Sequence, residues 1–328
     1  MKFGILGCGM IANIHADAIK NIENATLVGV ADNYFEFAEK FAVKHGVKAY
    51  ANYQEMLADE DIDVICICTP SCFHASNAIE AMSAGKHVVL EKPMALSTKD
   101  ADEVIKVSEE TKKLVTVICQ LRFSADIQRV KKLIGENAFG RITLCSLYMK
   151  YYRSREYYAS SNWKGTWKFD GGGALMNQGI HGIDLLEYMV GSIKDVQGKI
   201  RTLSHQIEVE DTAVAMIEFE NGALGVIEGS TCSYPGFERK IEICGDKGYV
   251  VLIENNIAKL MIDGREQTVA DFDVAGTASN PSAVQSAMHK LQIENLILSI
   301  EGKEKLLIDC NEGRKAVRVI EEIYQSAK

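Results

Sequence analysis

The chain contains 328 residues, of which 47% are apolar and 25% charged, and this composition is typical of a water-soluble globular protein. A formal net charge of −9 without a Lys/Arg-rich tract argues against a nucleic-acid partner. No apolar run approaches the roughly 18 residues that span a bilayer, so a membrane partner is not expected either. The length suits two domains better than one core.

Strand-like runs alternate with helical patterns over the first 120 residues. The expected strands are 2–6, 26–31, 62–68, 87–90 and 114–119, and the expected helices are 10–21, 34–45, 74–84 and 97–113. The third strand-like run is apolar on consecutive residues, which is typical of a parallel strand covered on both faces. The alternation predicts an α/β fold with a doubly wound parallel sheet of Rossmann type, in a domain at 1–122.

The turn after the first expected strand reads Gly7-x-Gly9-x-x-Ala12, and the second expected strand ends at Asp32. Gly7 permits a tight turn, Gly9 allows the backbone to approach a pyrophosphate, and the next helix offers N–H groups to phosphates. A carboxylate about twenty residues further on can bind both ribose hydroxyls and repels a 2′-phosphate. The pattern predicts a site for NAD, with NADP less favoured. The alternative is an ordinary glycine turn that binds nothing.

Nine cysteines, an odd number, are distributed along the chain, and several lie in apolar runs. This usage indicates buried, reduced thiols and predicts a cytoplasmic protein. Cys66, Cys68 and Cys72 are close in sequence, but the alternate positions of the first two on a strand favour packing over zinc ligation. We therefore expect no metal site.

Strand patterns dominate after about Arg122. A helical stretch at 124–134 precedes expected strands at 141–151, 196–203, 211–219, 223–231, 237–244, 248–253, 257–262 and 266–272, and further helices are expected at 173–190, 282–300 and 311–326. This order predicts an α+β domain at 123–328 with a large, mostly antiparallel open sheet for substrate binding and oligomerisation. Because helices cover one face of such a sheet, we expect the other face to join subunits into a homodimer or homotetramer.

Three loops are expected at the carboxyl edge of the parallel sheet, where ligands of open α/β sheets bind. They contain the Gly7 turn, the segment 69–71 and the segment 91–93. Lys92 follows a buried strand and precedes a proline with a fixed φ, so its ammonium could stabilise a developing alkoxide. For the isolated tripeptide, a solvated loop lysine is the stronger alternative.

The expected helix at 173–190 carries Asn177, His181, Asp184 and Tyr188 at helical spacing, which places them on one polar stripe. His181 ionises in the range needed for proton transfer near neutral pH. Small glycines flank it and would let another body approach the helix. The alternative is a core histidine that is hydrogen-bonded to the backbone.

Aromatic and basic residues are concentrated at 151–158, before the glycine run at 171–173. Aromatic rings pack on sugar C–H surfaces and arginine can bind a carboxylate or phosphate, so Tyr152 and its neighbours could line a sugar pocket. An edge strand packed on a partner subunit explains the cluster equally well. Arg122 and His289 are weaker candidates for substrate contact.

Several motifs occur together: Gly7-x-Gly9-x-x-Ala12, Thr69-Pro70-x-x-x-His74, Ala84-Gly85-Lys86-His87-Val88 with Glu91-Lys92-Pro93, and Gly171-Gly172-Gly173 leading to His181-x-x-Asp184. In combination they resemble the Gfo/Idh/MocA family, the group of glucose–fructose oxidoreductase and inositol dehydrogenase. The resemblance extends over essentially the whole chain. It implies an NAD(P)-dependent enzyme that transfers a hydride between nicotinamide and a secondary hydroxyl or ketone carbon of a sugar, polyol or sugar derivative.

The resemblance also implies roles for individual residues. Lys92 matches the active-site lysine that stabilises an alkoxide, and His181 matches the histidine that transfers the hydroxyl proton. Asn177 stands where inositol dehydrogenase-like members carry Asp; it can hydrogen-bond a substrate hydroxyl but holds no charge, and some members that act on nucleotide-linked sugars resemble this chain there. The implied cofactor contacts are Gly7, Gly9, Met10, Ile11, Asp32, Thr69, Pro70, Ser71, His74, Glu91, Lys92, Trp163 and Lys164, and the implied substrate contacts are Lys92, Arg122, Tyr152, Asn177 and His181.

Two other functions remain open at this point. One is a nicotinamide enzyme on the same scaffold that reduces an imine, a diketone or a dihydrodiol. The other is a catalytically silent NAD-binding regulator, which the retention of both Lys92 and His181 makes less favoured.

Overall fold

The computed structural model describes residues 1–272 and 286–327, which form two compact units. Among these residues, the N-terminal unit contains 1–120 and 286–314, and the C-terminal unit contains 121–272 and 315–327. No helix in the described ranges is long and apolar enough to cross a bilayer. All nine cysteines lie in these ranges, and no two of them form a disulfide.

A six-stranded parallel sheet forms the N-terminal unit, with the order β3-β2-β1-β4-β5-β6. Its strands are β1 (Lys2–Leu6), β2 (Thr26–Ala31), β3 (Lys48–Ala49), β4 (Val64–Ile67), β5 (His87–Leu90) and β6 (Val115–Val117). Its first helices are α1 (Met10–Lys20), α2 (Phe35–His45), α3 (Tyr53–Ala58), α4 (His74–Ser83) and α5 (Thr98–Thr111), with a 3₁₀ turn at Ser71–Phe73. This is the strand order of a doubly wound dinucleotide-binding fold.

The strands and helices predicted for this unit are all present, and their ends agree within two residues. Every residue of β4 is buried, which explains why its apolar residues are consecutive. The two-residue strand β3 and the six-residue helix α3 were not predicted, because elements this short show no period.

An eight-stranded sheet forms the C-terminal unit, with the order β14-β13-β12-β11-β7-β10-β9-β8. Its strands are β7 (Ile142–Lys150), β8 (Ile193–Arg201), β9 (Thr212–Phe219), β10 (Leu224–Ser230), β11 (Lys240–Gly245), β12 (Gly248–Ile253), β13 (Asn256–Ile262) and β14 (Arg265–Glu266). Neighbouring strands are antiparallel except β7 and β10, which run parallel. The large, mostly antiparallel sheet is therefore confirmed.

The helices of the C-terminal unit include α6 (Ala125–Gly135), α7 (Arg155–Ala159), a π-helix at Ala174–Gly179 and α8 (Ile180–Val190); a 3₁₀ turn spans Gln120–Phe123. The five-residue α7 was not predicted. In place of the last predicted strand, 266–272, the structure has the two-residue strand β14, in which Arg265 and Glu266 pair with β13 at the edge of the sheet.

Two helices follow the residues 273–285. They are α9 (Ala287–Ile300) and α10 (Cys310–Ser326), and the first four residues of the helix predicted at 282–300 lie outside the described ranges. The compact units differ from the expected domains at α9, which belongs to the N-terminal unit. Ile293 and Leu296 are fully buried in the core of that unit, and Gln292 donates to Thr116 Oγ1 (2.8 Å) and to the carbonyl of Val117 (2.7 Å).

The sheet of the C-terminal unit has one covered and one open face. On β9, Ala213, Ala215 and Ile217 are buried in the core with residues of α6, α8 and α10. The alternate residues Val214 and Met216 point the other way and are 51% and 60% exposed. With Leu144 and Leu224, which pair across β7 and β10, they form what we call the open sheet face (Leu144, Val214, Met216 and Leu224).

Candidate functional site

The three loops that were predicted to lie at the carboxyl edge of the parallel sheet are adjacent to one another in the N-terminal unit. The amide of Gly7 donates to the carbonyl of Ala31 (2.8 Å), and the amide of Cys68 donates to Leu6 (2.8 Å). The amide of Glu91 continues this edge by donating to Ile67 (3.1 Å). The residues that follow β1, β2, β4 and β5 are therefore side by side, as the sequence predicts.

The glycine turn after β1 has the geometry of a phosphate cradle. Gly7 has φ +91°, and a Cβ there would lie 2.8 Å from the backbone of Cys68. Gly9 is the N-cap of α1 without a side-chain cap, and apart from the adjoining backbone no atom of the described residues lies within 4 Å of a Cβ built on it. Met10 in the first helical turn is 63% exposed. Space and helix N–H groups are thus available for a dinucleotide phosphate.

Asp32 is fixed by backbone hydrogen bonds at the end of β2. Its Oδ2 accepts the amide of Cys8 (2.8 Å), and its Oδ1 accepts the amide of Tyr34 (2.9 Å). The carboxylate is half-buried, and each oxygen retains a second lone pair. Asp32 thus holds the glycine turn and can also accept ribose hydroxyls.

The loop after β4 is joined to the loop after β5 by His74. This side chain is only 2% exposed, with Nε2 2.8 Å from the carbonyl of Thr69 and Nδ1 2.6 Å from the carbonyl of Pro93. Burial lowers the pKa of His74, while both carbonyl contacts act in the opposite direction. His74 therefore supports the two loops from the interior. Pro70 is half-exposed and Ser71 is buried at the start of the 3₁₀ turn.

Glu91 has protein partners for both carboxylate oxygens. Oε1 lies 2.7 Å from Nε2 of His15, and Oε2 accepts the amide of Lys92 (3.2 Å). Nε2 of His289 lies 3.9 Å from Oε1. Burial acts to raise the pKa of Glu91, but the bond from His15 and the charges of His289 and Lys92 lower it to about 2. The Lys92 side chain itself is half-buried.

In the C-terminal unit, a buried carboxylate binds the backbone amides at the start of the helix that was predicted at 173–190. Glu210, 1% exposed, accepts the amides of Gly173 (3.0 Å) and Leu175 (2.8 Å) and the hydroxyl of Tyr324 (2.8 Å). Burial raises the pKa of Glu210. A Cβ on Gly173 would lie 2.0 Å from the carbonyl oxygen of Glu210, so this approach requires glycine.

The predicted helix 173–190 is interrupted by a change of helical type. The π-helix ends at Gly179, and His181 lies in the first turn of α8. The glycines beside His181 have a packing role: a Cβ on Gly182 would lie 2.6 Å from Sδ of Met149, and one on Gly179 would lie 2.9 Å from Cε of Met149. Strand β7 is thus the element that packs closely against this helix.

Asn177 belongs to a polar network that the sequence did not predict. Its Nδ2 donates to Oδ1 of Asp170 (2.6 Å), and its Oδ1 accepts Nε2 of Gln178 (3.1 Å). Oε1 of Gln178 accepts Nε of Arg153 (2.9 Å). Asp170 is 1% exposed and directly precedes the glycine run, which is the one sequence signal that could have identified it. Asp170 therefore supplies a carboxylate beside Asn177, although position 177 itself carries none.

Three further predicted residues lie near this network or at the end of β7. Nζ of Lys164 is 4.2 Å from the ring centroid of Tyr157 and donates to Oγ of Ser160 (3.0 Å). Burial lowers the pKa of Lys164, and the charge of Asp170 raises it. Trp163 is half-buried, and the half-buried ring of Tyr152 makes an edge contact with Tyr234 at 5.1 Å.

Arg122, named above as a candidate for substrate contact, is buried in the C-terminal unit and is bound there to a carboxylate. It is 1% exposed, its Nε donates to Oδ2 of Asp184 (3.0 Å) and its Nη2 to Oδ1 (2.6 Å). The guanidinium also lies over the ring of Tyr188, at 4.7 Å from the centroid. Two members of the predicted polar stripe, Asp184 and Tyr188, are thus occupied inside the unit. His289 is likewise buried, in the cluster with Glu91.

Comparison with known proteins agrees with both units. A model described as the oxidoreductase family, NAD-binding Rossmann fold, matches residues 1–119, and one described as the GFO/IDH/MocA C-terminal domain matches residues 127–251. Myo-inositol 2-dehydrogenase of Thermotoga maritima is 29% identical over 268 residues, 76% of this chain and 74% of that protein. Glucose-6-phosphate 3-dehydrogenase of Bacillus subtilis is 31% identical over 262 residues, 75% of this chain and 72% of that protein.

A solved structure resembles the whole chain. The WlbA dehydrogenase from Bordetella pertussis, in complex with NADH and UDP-GlcNAcA, is 33% identical with a TM-score of 0.89. The match covers 100% of this chain and 96% of that chain.

Proposed function

The chain belongs to the Gfo/Idh/MocA family of oxidoreductases, and from that premise we propose that it transfers a hydride between NAD and a secondary hydroxyl or ketone carbon of a sugar, polyol or sugar derivative. The observation that carries this proposal is the carboxyl edge of the parallel sheet. There the glycine turn, the N-terminus of α1, Asp32 and the Glu91–Lys92 loop are side by side.

The residues at this edge fit NAD. The N-cap Gly9 leaves open space and helix N–H groups for the pyrophosphate, and Asp32 accepts ribose hydroxyls while repelling a 2′-phosphate. When bound, NAD supplies the hydride acceptor or donor, and the protein supplies orientation and electrostatics. Thr69, Pro70 and Ser71 would line the cofactor.

We assign the proton chemistry to His181 and the charge stabilisation to Lys92. In the oxidative direction, a ring nitrogen of His181 accepts the proton of the substrate hydroxyl as the C–H bond breaks. The ammonium of Lys92 stabilises the negative charge that develops on that oxygen. In the reductive direction, the same groups return the proton and polarise the carbonyl. Asn177, fixed by Asp170, donates or accepts a hydrogen bond at a neighbouring hydroxyl.

Among sugar derivatives, we favour a nucleotide-linked sugar acid. The WlbA dehydrogenase, whose structure contains UDP-GlcNAcA, is 33% identical to this chain over its whole length. In addition, the C-terminal unit carries the half-buried Lys164 beside the Asn177 network, and a lysine ammonium binds carboxylates and phosphates. Myo-inositol and a sugar phosphate are the alternatives that the other relatives suggest.

The test is a substrate panel followed by NADH absorbance. UDP-GlcNAcA, UDP-GlcNAc, myo-inositol, glucose 6-phosphate and glucose are each supplied with NAD, and we expect the highest kcat/KM for UDP-GlcNAcA. His181→Ala should lower kcat by about 10²-fold or more and leave the Kd for NAD within a few-fold. Lys92→Met should lower kcat by at least as much, because it removes the ammonium that stabilises the alkoxide. A protein that binds NAD but oxidises no sugar or polyol would contradict the proposal, and dihydrodiol, diketone and imine substrates then test the other enzymes on this scaffold.

We also propose that the open sheet face joins two or more copies of the chain into a homodimer or homotetramer in the cytoplasm. Four large apolar side chains there are about half exposed in the single chain, which is costly unless another surface covers them. Sedimentation of the purified protein measures its mass, and a monomer at micromolar concentration would contradict this assembly.

A further inference from the structure

Four polar side chains of the C-terminal unit are joined in series by hydrogen bonds. Nε of Arg153 donates to Oε1 of Gln178 (2.9 Å), and Nε2 of Gln178 donates to Oδ1 of Asn177 (3.1 Å). Nδ2 of Asn177 in turn donates to Oδ1 of Asp170 (2.6 Å). The Asn177 network (Arg153, Gln178, Asn177 and Asp170) therefore has a guanidinium at one end, a carboxyl group at the other and two side-chain amides between them.

The direction of every hydrogen bond in the Asn177 network follows from Arg153. A guanidinium only donates, so the atom of Gln178 that faces it is the amide oxygen. The NH₂ group of Gln178 consequently faces Asn177, which must present its own oxygen there. The NH₂ group of Asn177 then lies on the side of Asp170, whose Oδ1 accepts. The two partners of the Asn177 amide thus allow one of its two orientations.

Both ends of the Asn177 network are buried and bound to the backbone. Arg153 is 5% exposed, and its Nη1 donates to the carbonyl of Tyr152 (2.8 Å). Asp170 is 1% exposed, and its Oδ2 accepts the amide of Gly165 (2.9 Å). Reversal of any link would bring two donors or two acceptors into contact away from water, which is costly. The orientation of the Asn177 amide is therefore fixed from both sides.

We propose that Asp170 and Gln178 are positioning residues that hold the amide of Asn177 in a single orientation for the substrate. The inference rests on the proposed function, in which Asn177 forms a hydrogen bond with a substrate hydroxyl. A fixed amide keeps its oxygen and its nitrogen at constant places, so it selects a substrate by the direction of that hydrogen bond. Asp170 also requires an amide at position 177, because a carboxylate there would oppose two acceptor oxygens where the 2.6 Å hydrogen bond now lies.

Two isosteric substitutions together reverse the Asn177 amide without loss of a hydrogen bond. In Asp170→Asn, the introduced amide keeps its oxygen toward the N–H of Gly165 and so turns its NH₂ group toward Asn177. In Gln178→Glu, the introduced carboxylate still accepts from Arg153 but offers Asn177 an acceptor instead of a donor. Each single variant therefore opposes Asn177 on one side. The double variant Asp170→Asn/Gln178→Glu is complementary to an Asn177 amide turned by about 180° and keeps the wild-type net charge.

Thermal unfolding followed by circular dichroism tests the hydrogen-bond directions without a substrate. Each single variant should lower Tm by roughly 5 °C, because it brings two like hydrogen-bonding groups into contact. The double variant should return to within about 2 °C of the wild type. The hydroxyl of Tyr157, which accepts from Nε2 of Gln178 (2.9 Å), can donate to the introduced carboxylate and so remains bonded. Single variants as stable as the wild type, or a double variant no more stable than the singles, would overturn the inference.

Kinetics with NAD and UDP-GlcNAcA test whether the orientation of Asn177 matters to the substrate. The double variant should raise KM for UDP-GlcNAcA about tenfold, the effect of one lost hydrogen bond, and leave kcat within a few-fold of the wild type. A restored Tm with an unchanged KM would contradict the positioning role, since a purely structural network predicts that result. A wild type that oxidises no substrate of the panel would instead count against the proposed function alone, and the Tm values would still decide the directions within the Asn177 network.

Discussion

The buried pair of Arg122 and Asp184 should contribute strongly to the stability of the C-terminal unit. The two side chains are 1% and 3% exposed, and two hydrogen bonds of 3.0 and 2.6 Å join them. Asp184→Leu fills a similar volume but leaves the guanidinium buried without its carboxylate. Removal of one partner from a buried pair costs about 3–5 kcal/mol. For a unit of this size, that free energy lowers Tm by roughly 10 °C.

Thermal and urea unfolding of the purified variant, followed by circular dichroism, measure this cost. The double variant Arg122→Met/Asp184→Leu should recover most of the loss, because an apolar pair avoids the desolvation of two ions. The exposed pair of Lys194 and Glu218 provides the matched control, and Glu218→Gln there should leave Tm unchanged within error. An Asp184→Leu protein as stable as the wild type would refute the reasoning.

Three further outcomes follow from the geometry. Gly173→Ala should destabilise the protein by about 1–3 kcal/mol in urea unfolding, because its Cβ would meet the carbonyl oxygen of Glu210, and unchanged stability would contradict the tight approach. Gly9→Ala, whose Cβ meets no described residue beyond the adjoining backbone, should leave unfolding unchanged but raise the Kd for NAD at least several-fold in fluorescence titration. Burial acts to raise the pKa of Asp211, but hydrogen bonds from three backbone amides outweigh it and lower the pKa below the usual 3.8. The ionised carboxylate therefore contributes its full stabilisation above pH 3.8. This stabilisation is lost as the pH falls through the pKa that Asp211 has in the folded protein. Asp211→Asn should therefore flatten the acid limb of a Tm-against-pH curve, and an unchanged limb would show that these bonds do not matter.

The architecture was predictable where residues repeat with a clear period. Alternation of apolar runs and helical patterns located all the main elements of the N-terminal unit. Turn signals such as Glu220-Asn221-Gly222 and Asp263-Gly264 separated some strands of the second sheet. Short elements such as α3 and α7 lack a period to detect. The hydrogen bonds that Glu210 accepts at the start of the π-helix were not predicted, because Glu210 lies on a distant segment of the chain.

The positions of some predicted site residues could be read from the sequence, because each lies directly after a strand. Gly7, Asp32 and Lys92 each follow a strand end, so local sequence was enough to bring them to one edge. Asp170 and Gln178 were missed because their contact with Asn177 depends on the fold of the loop before the π-helix. The buried pair of Arg122 and Asp184 was not predicted, because nothing in the sequence near Arg122 indicates a contact with a carboxylate 62 residues away.

By itself, the sequence determined the fold class, the glycine turn and its acidic partner. The fold class follows from apolar patterns that repeat within a single helix or strand. The turn follows from the backbone conformations that only glycine adopts readily. Only the tertiary structure decided that α9 belongs to the N-terminal unit and that His15, Glu91 and His289 meet. Such encounters join residues up to 274 positions apart, counted from His15 to His289. They are stabilised by burial and charge that exist only after the core has formed, so no local pattern encodes them.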